Sequence, residues 1–218
     1  MIRKIALYGC GGFGREVAWL IQSCSSHGAS CEVACFIDDD PSRRDTEING
    51  FVVMDLEKAR RVFPEAHIIC VVGNPQTRQK LIQKASKKGF GFETIVHPGT
   101  EKSKWIHIGI GTIICAGNIL TTNITIGQHV HINLDCTIGH DVVLGDFTTI
   151  APGVHISGWV HCGKRVYIGT GAVIVNGTED HPIEIGNDVT IGAGACVTKS
   201  VTSGTTVVGV PAKPLVRK

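Results

Sequence analysis

From Ile108 onward an apolar residue returns at every sixth position: Ile108, Ile114, Leu120, Ile126, Ile132, Ile138, Leu144, Ile150, Ile156, Cys162, Ile168 and Ile174 are all in phase. The residue after each is usually small or polar (Gly109, Gly127, Asn133, Gly139, Gly145), and the fourth after it is usually small or β-branched (Thr112, Val130, Cys136, Val142, Val154). A helix repeats every 3.6 residues and a half-buried strand every two, so a period of six predicts short flat segments, each with one inward side chain, joined by turns. Such a fixed hexapeptide period marks a solenoid of the parallel β-helix kind. Three hexads make one triangular coil, so residues eighteen apart should stack at the inter-strand spacing of about 4.8 Å. The phase slips once. Ile174 predicts a successor at position 180, yet the pattern resumes at Ile185, Ile191 and Val197, so five extra residues within 175–184 leave the coil as a loop.

Ahead of the repeat the pattern is different. Residues 2–9 (IRKIALYG) read as a buried strand ending in Gly9, Cys10, Gly11, Gly12, Phe13 and Gly14, followed by a helix with Phe13, Val17, Leu20, Ile21 and Cys24 on one face. Strand, glycine turn and helix N-terminus together make an anion site, because uncapped backbone N–H groups and the helix dipole favour a phosphate. The glycines also fit G-x-G-x-x-G, and a second strand, 33–37, ends in Asp38 and Asp39 where a ribose-binding acid would stand, which alone would suggest NAD. Length argues against a dinucleotide: the roughly 95 residues before the repeat suffice for one mononucleotide-binding half. A third strand, 67–72, leads into Gly73, Asn74 and Pro75, with Asn74 as N-cap and Pro75 as first residue of a helix that runs to Lys88 and stops at Gly89. Gly9–Gly14, Asp38/Asp39 and Gly73/Asn74 then share one edge of a parallel sheet, the edge where open α/β sheets bind ligands. Residues 92–96 are expected to close that sheet, and His97-Pro98-Gly99 to hand over to the solenoid, giving domains 1–98 and 99–218.

Composition narrows the partners. A net charge of +2 without a basic cluster offers no footing for nucleic acid or a membrane surface, and no apolar run reaches membrane-spanning length. Nine cysteines are an odd number, and several, such as Cys136 and Cys162, fall on positions inside the coil; they read as reduced thiols of a cytoplasmic protein. The ten histidines invite a metal, but only His107 and His161 share a column of the repeat, three coils or roughly 14 Å apart, too far for one ion to bridge. No metal is expected within one chain.

His140 stands out. It follows Gly139 at a repeat turn and precedes Asp141, a carboxylate able to orient the imidazole or stabilise its protonated form. One coil above it is Gly158, which leaves room for a substrate and offers a backbone N–H about 5 Å away, the layout of a base beside an oxyanion donor. Two coils above is Asn176, at the mouth of the loop.

The YGCGGFG turn, FIDDD, VVGNPQTR, the hexads with IGHD and the ending VVGVPAKP, in that order, resemble the PglD/NeuD-type bacterial sugar acetyltransferases over nearly the whole chain. The resemblance implies a Rossmann-like α/β N-terminal domain followed by a left-handed parallel β-helix. It implies His140 as catalytic base with Asp141 beside it, Asn133 in support, and Gly158 as oxyanion donor. It further implies acetyl-CoA as co-substrate, lying between the β-helices of a homotrimer with active sites at subunit interfaces, against Thr149, Gly158, Thr170, Ala193 and Lys213. A nucleotide-linked amino sugar would rest on Gly11, Gly12, Phe13, Asp38, Asp39, Gly73 and Asn74 of the N-terminal domain. This chain carries Phe13 where many relatives have histidine, and its five-residue insertion is unusual.

The activity so implied is acetyl-CoA-dependent N-acetylation of the 4-amino group of a UDP- or GDP-linked deoxysugar. The nearest alternative keeps the machinery and acetylates a hydroxyl, as in sialic acid O-acetylation. A zinc β-helix enzyme of the carbonic anhydrase kind and a non-enzymatic nucleotide-sugar sensor are the rivals from other classes; the histidine columns count against the first.

Overall fold

The computed structural model describes residues 2–216, and the chain divides into two compact units, Met1–Pro98 and Gly99–Lys218. The first is built from β1 (Arg3–Tyr8), α1 (Gly12–Ser26), β2 (Cys31–Ile37), β3 (Glu47–Ile48), β4 (Phe51–Met54), α2 (Leu56–Val62), β5 (His67–Cys70) and α3 (Pro75–Lys87). The sheet order is β3-β4-β2-β1-β5, parallel except for β3, which forms a hairpin with β4. Ile5, Leu7, Phe36, Ile37, Ile68 and Ile69 of its central strands are fully buried, as parallel strands covered on both faces must be.

Two expectations change here. The buried face of α1 is Gly14, Val17, Ala18, Leu20, Ile21 and Cys24, and Phe13 stays half-exposed. Gly14 decides this: a Cβ there would stand 2.5 Å from Gly9 O, so the helix turns its bare position onto the strand end and carries Phe13 round to the side. Residues 92–96 do not close the sheet. Phe92 makes one bridge to Ile68, through Ile68 N to Gly91 O and Glu93 N to Ile68 O, and Ile95–Val96 is a separate strand outside this sheet. Four-residue β5 offers too short a ladder for more. The other edge is instead supplied by the β3–β4 hairpin, whose Asn49 and Gly50 both have positive φ (50° and 82°), as a two-residue type I′ turn requires.

The second unit is the left-handed parallel β-helix. One face stacks Glu101–Lys102, Ile119–Leu120, Thr137–Ile138, His155–Ile156, Val173–Ile174 and Cys196–Val197. A second stacks Ile106–Ile108, Ile124–Ile126, Val143–Leu144, Val160–Cys162 and Ile183–Ile185. The third includes Ile113–Ile114, His131–Ile132, Thr149–Ile150, Tyr167–Ile168, Thr190–Ile191 and Thr206–Val208. Registers such as Thr137 to His155 and Thr149 to Tyr167 are eighteen residues apart. The in-phase residues from Ile114 to Ile174 and the fourth-position neighbours from Asn118 to Ala172 are buried, each large aliphatic contributing about 1.5–3 kcal/mol on leaving water. Thr148 and Asn118 are the polar exceptions, and Asn118 is the one with an amide to satisfy. It is 1 % exposed, and its amide bonds Cys115 O, Asn133 O and Cys136 N, so no lone pair or donor is stranded inside.

The structure also identifies the five extra residues. Gly177 N donates to Gly158 O, and the next rung, Ile183 N to Trp159 O, is made six residues later, so Thr178–Pro182 leave the coil between two adjacent carbonyls. The excursion is a tight hairpin closed by Thr178 N to His181 O (3.0 Å) and His181 N to Thr178 O (3.2 Å). Beyond it Val160 pairs with Ile183, and the last coil is two residues shorter, with Thr190 opposite Thr206. Lys213–Pro214 finish the face as an antiparallel strand against Val207 and Val208.

Candidate active site

His140 and Asp141 occupy the corner that follows Thr137–Ile138. Asp141 has φ 57°, a left-handed conformation that aspartate tolerates better than most residues, and its N–H is fixed by Thr122 O. That twist brings Asp141 Oδ2 within 2.8 Å of His140 Nδ1. With the carboxylate ionised, Nδ1 is the donor and Nε2 is left with the lone pair that a base needs. The His140 side chain is 54 % exposed while that of Asp141 is 24 % exposed, so the ring is open to solvent and its hydrogen-bond partner is sheltered.

The ring lies over Gly158. A Cβ at that position would stand 2.4–2.9 Å from the imidazole atoms Cε1, Nε2 and Nδ1, so only glycine admits the ring where it is. The neighbouring backbone is committed: Trp159 N donates to His140 O, and Gly158 O accepts from Gly177 N. Among the described residues the Gly158 N–H has no protein acceptor. At the equivalent turn positions Gln128 N and Lys164 N are satisfied by Asp146 and Asn187 side chains from the coil above. The Gly158 donor is thus kept available beside the imidazole, as an oxyanion site requires.

Asn133 sits at the preceding corner of the same coil, where its Nδ2 donates to Ile150 O (2.8 Å). It is not brought against His140 within the chain. Thr149 is buried in the strand between His131 and Tyr167. Thr170 and Ala193 stack as exposed turn residues of successive coils, with Gly194 N donating to Thr170 O, and Lys213 is exposed on the terminal strand. Asn176 is exposed, its Nδ2 on Gly177 O.

In the N-terminal unit the strand ends do form one edge. Gly11 and Gly12 are exposed at the start of α1, which has no side-chain cap and no acid in its first turn. Both aspartates are already engaged. Asp38 accepts from Cys10 Sγ (2.9 Å), Cys10 N and Asp40 N; Asp39 accepts from the Tyr8 hydroxyl (2.8 Å) and Lys84 Nζ (2.7 Å). Burial alone would raise the Asp38 carboxyl, but those hydrogen bonds and the Arg43 guanidinium together hold it below the usual carboxylate range. Asn74 caps α3 through Thr77 N (2.8 Å). Arg78, which the sequence pattern gives no reason to single out, is 0 % exposed and donates to Val72 O and Gly73 O, pinning the third loop from within. Burial brings its guanidinium down to about 10.

A carboxylate whose folded pKa is depressed stabilises the fold above its unfolded value of about 4, and that stability is lost as pH falls through the folded value. Wild type is therefore expected to melt above Asp38→Asn at pH 7, with the gap closing below about pH 4. A pH-independent gap in a melting series would show that the ionised carboxylate is not what holds this edge.

None of the thiols is poised for covalent catalysis at the His140 corner. Eight of the nine cysteines are buried, and desolvation pushes Cys24 up to about 11 and Cys35, Cys70 and Cys162 up to about 12. Among the described residues no three His, Cys, Asp or Glu side chains gather as a metal site would need, and no helix is long and apolar enough to cross a membrane.

A two-unit chain whose hexapeptide β-helix carries an aspartate-oriented histidine at a glycine-lined corner has the architecture of the hexapeptide acyltransferases. The sequence family described as the PglD N-terminal domain matches residues 4–85. The GDP-perosamine N-acetyltransferase of Escherichia coli O157:H7 is 33 % identical over 213 residues, 97 % of this chain and 96 % of that protein. The chain therefore belongs to the PglD-type sugar acetyltransferases, a family of acyl-transferring enzymes. Solved relatives agree over the full length. WeeI from Acinetobacter baumannii AYE is 37 % identical with a TM-score of 0.89, covering 97 % of this chain and 99 % of its own. The acetyltransferase domain of PglB from Neisseria gonorrhoeae FA1090, in complex with acetyl coenzyme A, is 33 % identical with a TM-score of 0.86, covering 99 % and 100 %. A histidine-to-asparagine variant of perosamine N-acetyltransferase from Caulobacter crescentus, in complex with CoA and GDP-perosamine, is 27 % identical with a TM-score of 0.88, covering 100 % and 99 %.

Proposed function

We propose that this protein transfers the acetyl group of acetyl-CoA to the 4-amino group of a nucleotide-linked amino-deoxysugar, with His140 as general base. The observation that carries the reading is the His140 corner: Nδ1 held by Asp141 at 2.8 Å, the ring over Gly158, and the Gly158 N–H without an acceptor among the described residues. The amine nitrogen attacks the thioester carbonyl carbon as Nε2 takes its proton; the Gly158 N–H receives the oxyanion. Collapse of the adduct breaks the carbon–sulfur bond, and the proton passes to the departing CoA thiolate. The raised thiols favour direct transfer over an acetyl-cysteine intermediate.

The nucleotide rests on the N-terminal unit, its phosphates at the uncapped start of α1 by Gly11, Gly12 and Phe13, beside the Asp38, Asp39, Gly73 and Asn74 loops. Arg78 and the Tyr8–Asp39–Lys84 contacts are what keep those loops in place. Relatives named for GDP-perosamine favour GDP over UDP. Acetyl-CoA lies along the exposed Thr170 and Ala193 corner and the Lys213 strand, with Asn133 and Thr149 contributing at the subunit interface of a homotrimer. The test is thiol release from acetyl-CoA across GDP- and UDP-linked 4-amino-sugars, with sialic acid as hydroxyl control. Turnover on a GDP-linked amino sugar is expected; turnover on sialic acid alone would overturn the reading in favour of O-acetylation.

A further inference from the structure

Trp159 takes no part in the chemistry just described, yet its position is costly. It has φ 58°, in the left-handed region where a bulky side chain is a genuine outlier. The two residues stacked below it at this corner, Asn123 and Asp141, are of the kind that tolerates that conformation. The same conformation recurs at His129, Phe147 and Arg165 on another corner of the coil, so the angle belongs to the turns of the β-helix; what sets Trp159 apart is the set of contacts that hold it beside His140. Here the contacts are visible. Trp159 N donates to His140 O, and Trp159 O accepts from Ile183 N, the far foot of the inserted hairpin, while Gly177 at its near foot comes so close that a Cβ there would stand 2.5 Å from the same carbonyl. The insertion leaves the coil at one of the two rungs that fix this residue.

The side chain that results meets His140 edge-on, with ring centroids 6.4 Å apart and planes at 84°. It is only half-buried, and its indole N–H has no acceptor among the described residues. The exposed Trp19 and Trp105 have neither the strained backbone nor a partner at the reacting corner.

We propose that Trp159 is the acceptor-specificity residue of this enzyme: its indole walls the His140 corner and packs the apolar face of the amino-deoxysugar, so that the amine is presented to His140 Nε2, and the Thr178–Pro182 hairpin is the brace that holds it there. The inference rests on the acetyl-transfer reading above. A 4-amino-6-deoxysugar has a methyl-bearing C–H surface suited to an aromatic wall, and an aromatic contact is worth enough to change affinity about tenfold.

The experiment is steady-state kinetics with GDP-perosamine and acetyl-CoA on wild type, Trp159→Phe and Trp159→Asn. Asparagine relieves the left-handed strain, so Trp159→Asn is expected to melt at or a few degrees above wild type, about 2–4 °C, while its KM for GDP-perosamine rises about tenfold and its KM for acetyl-CoA stays unchanged. Trp159→Phe keeps the wall and most of the affinity. A stable Trp159→Asn with wild-type KM for the sugar nucleotide would overturn the proposal, as would a variant whose only change is loss of the oligomer on gel filtration. If wild type itself fails to acetylate amino-sugar nucleotides, the acetyl-transfer reading falls and this inference with it, an outcome separate from normal wild-type turnover with an indifferent Trp159.

Discussion

Replacing His140 by alanine is expected to lower kcat by about 100- to 10,000-fold, the usual contribution of a positioned general base, while nucleotide-sugar and acetyl-CoA binding remain. The reason is local. His140 is half-exposed, and among the described residues its side chain hydrogen-bonds only Asp141, so its removal leaves no buried polar group unpaired and no cavity in the coil. Asp141 keeps its backbone bond to Thr122 O and its shelter. Stopped-assay thiol release, with binding followed separately by calorimetry, separates the two effects. Unchanged turnover in a folded His140→Ala would remove this histidine from the mechanism.

Gly158→Ala is expected to give the second-largest loss, about 100-fold or more in kcat with little change in melting temperature. The added methyl would fall 2.4–2.9 Å from the imidazole and from no backbone atom nearer than that, and an imidazole on a half-exposed side chain can swing away. The fold survives, but the base leaves its place beside Asp141 and the oxyanion N–H is partly covered. A Gly158→Ala enzyme with wild-type kcat would show that neither the ring position nor the free N–H matters. A steep fall in melting temperature would point instead to a packing role for the glycine.

Much of the molecule could be read from the sequence because a β-helix repeats one geometry. Most interior positions are filled by the same class of side chain, so the period of six and the eighteen-residue register are written directly in Ile114 to Ile174. The pairing of Gly158 with His140 follows from that register alone. The place of the insertion does not, because phase counts extra residues without saying which carbonyls keep their rungs; only the Gly177–Gly158 and Ile183–Trp159 bonds identify Thr178–Pro182. Trp159 escaped notice for the same reason, since its meaning lies in the rungs and the ring contact that hold it beside His140.

In the N-terminal unit the strand ends were legible and their electrostatics were not. Asp38 and Asp39 read as free ribose acids, but Cys10, Tyr8 and Lys84 reach them from positions 28, 31 and 45 residues away. Arg78 looks like an ordinary surface arginine on a polar helix, and no periodicity announces that it is walled in. The β3–β4 hairpin did carry a signal, the Asn49-Gly50 pair, which the polar run before it obscured. The residues expected to close the sheet, 92–96, were apolar enough for a strand; what they lacked was a long enough β5 to pair with.

The central claim is that the acetyl group ends on the sugar's amine by direct transfer, and the product shows it most plainly. Incubating the wild-type enzyme with GDP-perosamine and acetyl-CoA labelled at the carbonyl carbon, then locating the label by NMR and by mass analysis of the protein, decides the matter. The account predicts label in an amide on the C4 nitrogen, with none retained on the protein. Label in an ester, or on a cysteine of the enzyme, would contradict it.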